Sequence, residues 1–467
     1  MLRSIRLGHA TNSSSAHSII FHDANDARVG RTLPHTDIDE ICEYSRDKFS
    51  FSEPREKALY LLRDLVDSTP SNHVMIEVAA LLRKRGLGNL LDEVRTVELP
   101  IEPQGLSAYR PAEKGGVGLV EWLDFMLSPH VTCYGYDDNN GDPGMALQAD
   151  GVAVELDYRL LWKKDGPAIV AYEPNSGTKI RWSREAYDKA VTPELVDVKI
   201  TDFCGYGCSF CYQGSTKAGQ HAPLERIEAI FDQLAAMRVF EVAIGGGEPA
   251  HHPQFAEIIE AANARGLTFN FTAFGLDWTK NERAMKALKD GSGSGIGISV
   301  HSKRDIVKIQ RAREALREHK IWGVTPMAQT VVGATPMTTI ANMLEACIES
   351  STPLLLLGFK ETGRGADYGK ARASDAAVRK LLVKAKEACE QTREDYNPFT
   401  LSVDTAFLDR YGHLLDELKV PHSLRTSPEG KFSMYVDAVE NTCGPSSYCD
   451  PAQMEVIGDI KAQFAAY

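Results

Sequence analysis

No run of about 18 uninterrupted apolar residues occurs in this chain of 467 residues, so no membrane-spanning helix is expected. The first eighteen residues are polar and lack a seven-residue apolar core, which does not read as a secretory signal. Positive charge is not in excess either. The formal charge is −12, which argues against sequence-independent nucleic-acid binding, because that needs a basic surface to displace counterions. The expectation is a cytoplasmic protein with neither a membrane nor a nucleic acid as partner. Disulfides are rare in that compartment, so the nine cysteines are expected to be thiols or metal ligands. What the chain does have is an ordinary globular composition, 43% hydrophobic and 25% charged. That supplies a core for two or three domains, or for one large barrel with an added domain.

The pattern changes near residue 190. Before it, residues 55–67 and 73–85 carry apolar side chains three and four apart and predict helices. Residues 100–143 are rich in Gly, Pro, Tyr and Asp and predict loops, with a short helix near Trp122. Residues 151–157 alternate as a strand does, and 168–182 predict a hairpin turning at Asn175-Ser176-Gly177. The run TNSSSAHS at 11–18 reads as a solvated terminal loop.

After residue 190, strands are predicted at 195–201, 239–245, 267–274, 295–301, 322–332, 354–360, 399–405 and 432–437. Helices fall between them at 223–238, 253–265, 281–290, 304–320, 338–350, 375–394 and 408–419. Apolar strands alternating with amphipathic helices imply a parallel sheet covered by helices. Eight units predict an α/β fold with a (β/α) barrel, full or partial, an open doubly wound sheet being the alternative. The expected layout is an N-terminal α+β domain over 1–190, the barrel over 191–440 and an extension over 441–467. In either architecture, ligands bind beyond the carboxyl ends of the strands.

Cys204-Gly-Tyr-Gly-Cys208-Ser-Phe-Cys211 follows the first barrel strand directly, which places three thiols at that reactive face. Gly205 and Gly207 let the backbone curl tightly around a bulky centre. A closed structural zinc site wants four ligands, which His221, Cys443 or Cys449 would have to complete. A fully ligated iron–sulfur cluster also takes four cysteines. Three leave one iron with an open coordination position, as an enzyme requires if a substrate is to bind the metal.

CxxxCxxC with an aromatic before the last cysteine resembles the signature of the radical S-adenosylmethionine (SAM) superfamily. Gly245-Gly246-Gly247-Glu248-Pro249 closes the second strand and resembles the same family's GGEP motif. The resemblance spans residues 197–437. It implies that Cys204, Cys208 and Cys211 bind three irons of a [4Fe–4S] cluster while SAM chelates the fourth. It implies that Gly245, Gly246, Gly247 and Glu248 bind the SAM amino group; the glycines themselves predict close backbone approach to a ligand, with free N–H and C=O groups facing it. Phe210 would lie against adenine, Ser299 on the fourth strand would contact the ribose, and Val331-Val332-Gly333 would flank the base. Thr272 on the third strand and Gln329 on the fifth point to the same face if the registers hold.

The activity implied is reductive cleavage of SAM to a 5′-deoxyadenosyl radical that abstracts hydrogen from substrate, with a flavodoxin or ferredoxin as electron donor. A ribosomal peptide is one substrate class, because 429–448 resembles the start of the extension in peptide-modifying relatives. A small metabolite or nucleotide is the other. A non-catalytic zinc or iron–sulfur scaffold or redox sensor is the rival class. Lys360, Glu361, Arg364 and Asp404 are placed to orient substrate or to balance the SAM carboxylate, with surface charge the equally weighted account of the first three. His251 and His252 read as structural or solvent-exposed rather than catalytic. Cys443 and Cys449 are too few for an auxiliary cluster, and Cys42, Cys133, Cys347 and Cys389 read as buried thiols.

Overall fold

The computed structural model describes residues 2–6, 8–10, 17–19, 48–51, 54–67, 72–88, 90–94, 115–136, 144–149, 152–156, 160–368, 373–392, 399–425 and 428–467. Its centre is a run of eight parallel strands: β1 (Leu195–Thr201), β2 (Glu241–Gly246), β3 (Thr268–Ala273), β4 (Ser294–Ser299), β5 (Val324–Val331), β6 (Leu354–Leu357), β7 (Leu401–Val403) and β8 (Ser433–Asp437). Between them run α1 (Leu224–Ala236), α2 (Phe255–Ala264), α3 (Glu282–Asp290), α4 (Val307–Glu318), α5 (Met337–Glu349), α6 (Asp375–Gln391) and α7 (Thr405–Glu417). The order is β8-β1-β2-β3-β4-β5-β6-β7. Among the described residues no ladder joins β7 to β8, so the barrel is open there. Antiparallel strands finish both borders: His17–Ile19 beside β7, and Thr442–Gly444 followed by Glu455–Val456 beside β8. They occupy the hydrogen-bonding groups that a bare edge would expose.

Each helix buries one stripe against the sheet. In α1 that stripe is Ile227, Ile230, Phe231 and Leu234, spaced three and four apart. All seven residues of β1 are buried, as expected of a strand covered on both faces. The main core lies between helices and sheet, with Phe255 edge-on to Phe271 at 5.3 Å.

The N-terminal region has its own core around Leu62, Leu82, Trp122, Phe125, Trp162 and Trp182. Helices Pro54–Asp67, Asn72–Lys84 and Leu119–Met126 occur where sequence periodicity predicts them. The expected hairpin is present, as Ala168–Glu173 and Thr178–Ser183. Gly177 turns it with φ +72, and a Cβ there would stand 2.4 Å from the His9 nitrogen.

Three expectations need correction. Val131–Tyr136 is a strand, not a loop, and pairs with Lys48–Phe51 and Gly144–Ala149. Leu161–Asp165 is a further strand whose LWKKD sequence hides the alternation, because Lys163 is buried and donates to the Thr192 and Pro193 carbonyls. His17–Ile19, the end of the presumed terminal loop, pairs with β7; residues 11–16 and Cys42 lie outside the described residues.

The antiparallel sheet containing Leu2–Arg6 seals the amino end of the parallel strands. Glu241, the first residue of β2, pairs with Arg6 and accepts from Asn270 Nδ2 at 2.9 Å. Glu194, just before β1, accepts from Arg181 Nε at 2.8 Å and pairs with Lys179 at 3.0 Å. These buried charges are ion-paired, which is the condition under which burial of charge is tolerated. The opposite, carboxyl end of the strands carries the cavity.

Candidate active site

The turn from β1 into α1 carries the three cysteines. All three are free and half-buried. They line one cavity at the carboxyl ends of the strands, about 950 Å³ of empty space counting the part open to solvent. Gly246, Gly247 and Glu248 line it from β2, Thr272 from β3, Ser299 from β4, Gln329 and Val331 from β5, and Lys360 and Asp404 from the far side. Phe210 reaches it from the cysteine loop, with His301 and Tyr368 edge-on to its ring at 5.5 and 5.7 Å. Gly245 does not line the cavity. It lies inside β2, opposite Lys199.

The glycine run is held by the cysteine loop. Gly247 N donates to the Thr201 carbonyl at 2.6 Å and Glu248 N to the Phe203 carbonyl at 2.8 Å. These two amides are therefore engaged within the protein, contrary to the expectation of free N–H groups facing a ligand. The glycines serve close backbone approach: a Cβ on Gly247 would fall 2.0 Å from the Phe203 carbonyl oxygen, and one on Gly246 2.2 Å from that of Thr201. Glu248 is buried and accepts from Phe274 N at 2.8 Å through Oε2. Its Oε1 has no partner. Burial lifts this carboxyl to about 7, against the pull of the Phe274 and Gly275 amides. Gln329 donates to Ser299 Oγ at 3.4 Å, while its Oε1 is buried without a partner. Two orphaned acceptors in one cavity fit a ligand that brings hydrogen-bond donors.

The cysteines fit a polynuclear centre. Burial, then the charges of Cys211 and Cys204, push the Cys208 thiol up, so three thiolates here need cations to hold them together. Among the described residues no three His, Cys, Asp or Glu side chains converge as ligands of a single ion. A [4Fe–4S] cluster takes each thiolate on a separate iron, and three cysteines on one loop lining one cavity suit it. Within the cavity lining, these cysteines have no His or Cys besides His301 near them, and His221 is engaged with Thr201 Oγ1 at 2.8 Å outside it.

Other residues have structural partners. His252 is buried, bonded to the Ala222 carbonyl at 2.9 Å, and His251 lies 3.5 Å from Asp277. Asp404 is not inside a strand: it is the N-cap of α7, accepting from Phe407 N and Gly358 N, each at 2.8 Å. Lys360 is buried, not surface charge. Its ammonium lies over the rings of Tyr212 at 4.4 Å and Tyr448 at 4.8 Å and donates to Ser447 at 3.2 Å. Glu361 is exposed. Arg364 is not surface charge either. It donates to the carbonyls of Cys208, Gly214 and Ser215 at 3.0, 2.9 and 2.9 Å. Cys443 accepts from the Tyr467 hydroxyl at 3.4 Å and Cys449 lies 3.7 Å from Met454 sulfur, both away from the cavity. Sequence reasoning missed Tyr206, Tyr212, Phe274, His301 and Phe359, which complete the lining; the aromatics flanking the cysteines were the available signal.

The sequence pattern of the radical SAM superfamily matches residues 198–325. Over those residues the chain is similar to that superfamily. That match implies a [4Fe–4S] cluster and SAM as cofactors. Mycofactocin maturase MftC of Mycolicibacterium smegmatis is 28% identical over 134 residues, 27% of this chain and 34% of that one. The PqqA peptide cyclase of Rhizobium meliloti is 27% identical over 114 residues, 24% of this chain and 30% of that one. The chain thus spans about a third of the length of these curated relatives. The crystal structure of Streptococcus suis SuiB bound to S-adenosylmethionine is 14% identical, with a TM-score of 0.42 over 56% of this chain and 62% of that one. The open parallel sheet is a partial (β/α) barrel, as the eight-unit alternation predicts.

Proposed function

We propose that this chain is an enzyme that reductively cleaves SAM and uses the radical on a peptide substrate, with Cys204, Cys208 and Cys211 as the cluster ligands. The observation that carries this is the meeting of three free cysteines and two orphaned buried acceptors in one cavity at the carboxyl ends of the strands. When bound, the cluster and SAM supply a 5′-deoxyadenosyl radical that abstracts a hydrogen atom.

The residues of the chain bind and orient. Glu248 Oε1 and Gln329 Oε1 accept from ligand donors, and Glu248 is the group that meets a cationic amine. Ser299 and Thr272 present hydroxyls from neighbouring strands. Phe210, Phe274 and His301 form an aromatic wall that excludes water from the reacting centre. The wall from β6 to β7, with Leu357, Phe359 and Lys360, is left for substrate. A peptide is favoured by the PqqA peptide cyclase among the relatives. Residues 1–190 form an accessory region on a core of residues 191–440, followed by an extension over 441–467. A flavodoxin or ferredoxin delivers the electron, and the reducing cytoplasm suits the thiolate-bound cluster. Among the described residues no helix is long and apolar enough to cross a membrane.

Anaerobically purified protein should be brown, contain close to four irons per chain, and release 5′-deoxyadenosine from SAM on reduction. Cys208→Ala should lose iron and cleavage while keeping its circular dichroism spectrum. Colourless, zinc-loaded protein, or wild-type cleavage by Cys208→Ala, would end this reading. Incubation with candidate precursor peptides, read by mass spectrometry, tests the substrate class.

A further inference from the structure

We infer that Arg364 is a positioning residue for the iron–sulfur cluster, fixing the cysteine loop and holding a positive charge beside it that eases the cluster's reduction. The inference rests on the proposed function, since it needs a cluster at these cysteines.

The segment after β6 is built to lie against the cysteine loop. Arg364 N donates to the Cys211 carbonyl at 3.0 Å, and Thr362 Oγ1 to the Tyr212 carbonyl at 3.3 Å. The approach leaves no room for side chains. Gly363 has φ +54, and a Cβ there would stand 2.3 Å from the Tyr212 oxygen and 2.9 Å from that of Cys211. Gly365 would place one 2.4 Å from the Lys360 oxygen. From between these glycines the guanidinium reaches across the loop. Nε meets the Cys208 carbonyl, and Nη1 meets those of Gly214 and Ser215. Its acceptors therefore bracket Cys211, seven positions apart in sequence and 149 to 156 residues away along the chain. One side chain thus fixes both ends of the segment that carries two of the three thiols.

The partners are neutral carbonyls and not a carboxylate, so the charge is not cancelled locally. Arg364 is partly buried, which weakens solvent screening. A guanidinium stays protonated at any working pH. Reduction adds a negative charge to the cluster, and a fixed positive charge nearby stabilises that form. Local charge and hydrogen bonding are the levers that set cluster potentials.

The test compares wild type with Arg364→Lys, Arg364→Gln and Arg364→Met after anaerobic reconstitution. Iron and sulfide are counted per chain, and the midpoint potential is read by redox titration followed by electron paramagnetic resonance. Arg364→Lys keeps the charge and should titrate near wild type. Arg364→Gln keeps a donor without the charge, and Arg364→Met keeps neither. Both should hold a cluster that is harder to reduce, with the reduced-to-oxidised ratio at fixed potential down about tenfold, a shift of about 59 mV for one electron. Glutamine or methionine variants that titrate with wild type would overturn the inference. So would loss of iron from all three variants, which would make the contact structural alone. A wild-type chain that assembles no cluster would instead sink the proposed function.

Discussion

Replacing Glu248 by glutamine removes one titrating proton and changes almost no volume. The carboxyl is buried, its Oε2 accepts from Phe274 N at 2.8 Å and its Oε1 meets nothing. Burial raises it from the usual 4.5 to about 7. The unfolded chain releases this proton near 4.5, whereas the cofactor-free native protein keeps it to about 7. Below 4.5 both states are protonated and the group costs nothing. Between the two values the cost grows with pH, and above 7 it is fully present, about 3 kcal/mol. Urea denaturation of cluster-free wild type and Glu248→Gln should therefore give similar stabilities near pH 4.5. The variant should gain on wild type as pH rises, by about 2–3 kcal/mol between pH 5 and pH 8. A bound cation reverses the balance, because it favours the ionised carboxylate. SAM binding to the wild type should then release a proton and tighten as pH rises through 7. Glu248→Gln should show neither effect in calorimetry across buffers of different ionisation enthalpy. A constant stability gap from pH 5 to pH 8 would refute the burial argument. Proton release retained in the variant would remove Glu248 from the SAM amine.

Gly247→Ala puts a methyl where the Phe203 carbonyl lies 2.0 Å away. It should part the glycine turn from the cysteine loop, at a cost of about 1–3 kcal/mol with loss of bound iron. Gly245→Ala, whose Cβ has nothing within 4 Å, should match wild type in iron content and thermal melt. Glu241→Gln strands Arg6 without its carboxylate, while Lys179 keeps Glu194, and should destabilise the protein by about 3–5 kcal/mol in urea. Asp404→Ala removes the acceptor shared by Phe407 N and Gly358 N and should cost about 1–2 kcal/mol.

The barrel was legible because each of its helices and strands keeps its own period. Ile227, Ile230, Phe231 and Leu234 repeat at helical spacing, and β1 to β8 are short apolar runs between them. Ends were less legible. Asp404-Thr405 reads as the tail of a strand or as a helix cap, and the cap wins because Oδ1 can satisfy two amides at once. Strands that bury polar side chains were missed, as with Lys163, whose ammonium is met by carbonyls that follow about 30 residues later. The cysteines and glycines were visible as local spacing. Arg364 was visible only as a candidate for substrate or surface charge; its hold on the cysteine loop was not legible, since its partners lie some 150 residues earlier and no local pattern marks a charge that folds back onto backbone carbonyls.

The two ends of the parallel strands differ in whether buried carboxylates have opposite charges beside them. At the amino end, the buried carboxylates of Glu194 and Glu241 have opposite charges beside them on Arg181, Lys179 and Arg6, although Glu241 Oε1 and Arg6 Nε and Nη1 have no hydrogen bond. At the carboxyl end, Glu248 and Gln329 are buried with one oxygen each left unmatched. Buried orphans of this kind cost about 1–3 kcal/mol apiece, and a fold tolerates them where a ligand later supplies the partner. The ion-paired floor holds β1 and β2 in register through Glu194 and Glu241. That register is what sets the cysteine loop against the glycine turn at the other end, through Thr201 with Gly247 and Phe203 with Glu248. Loosening the floor should therefore be felt at the mouth. Glu241→Gln lies a full strand length from the cavity, yet its cluster should be lost at lower urea concentration than in wild type, in step with global unfolding. Loss of the cluster well before unfolding would show that the loop is held by its local contacts alone.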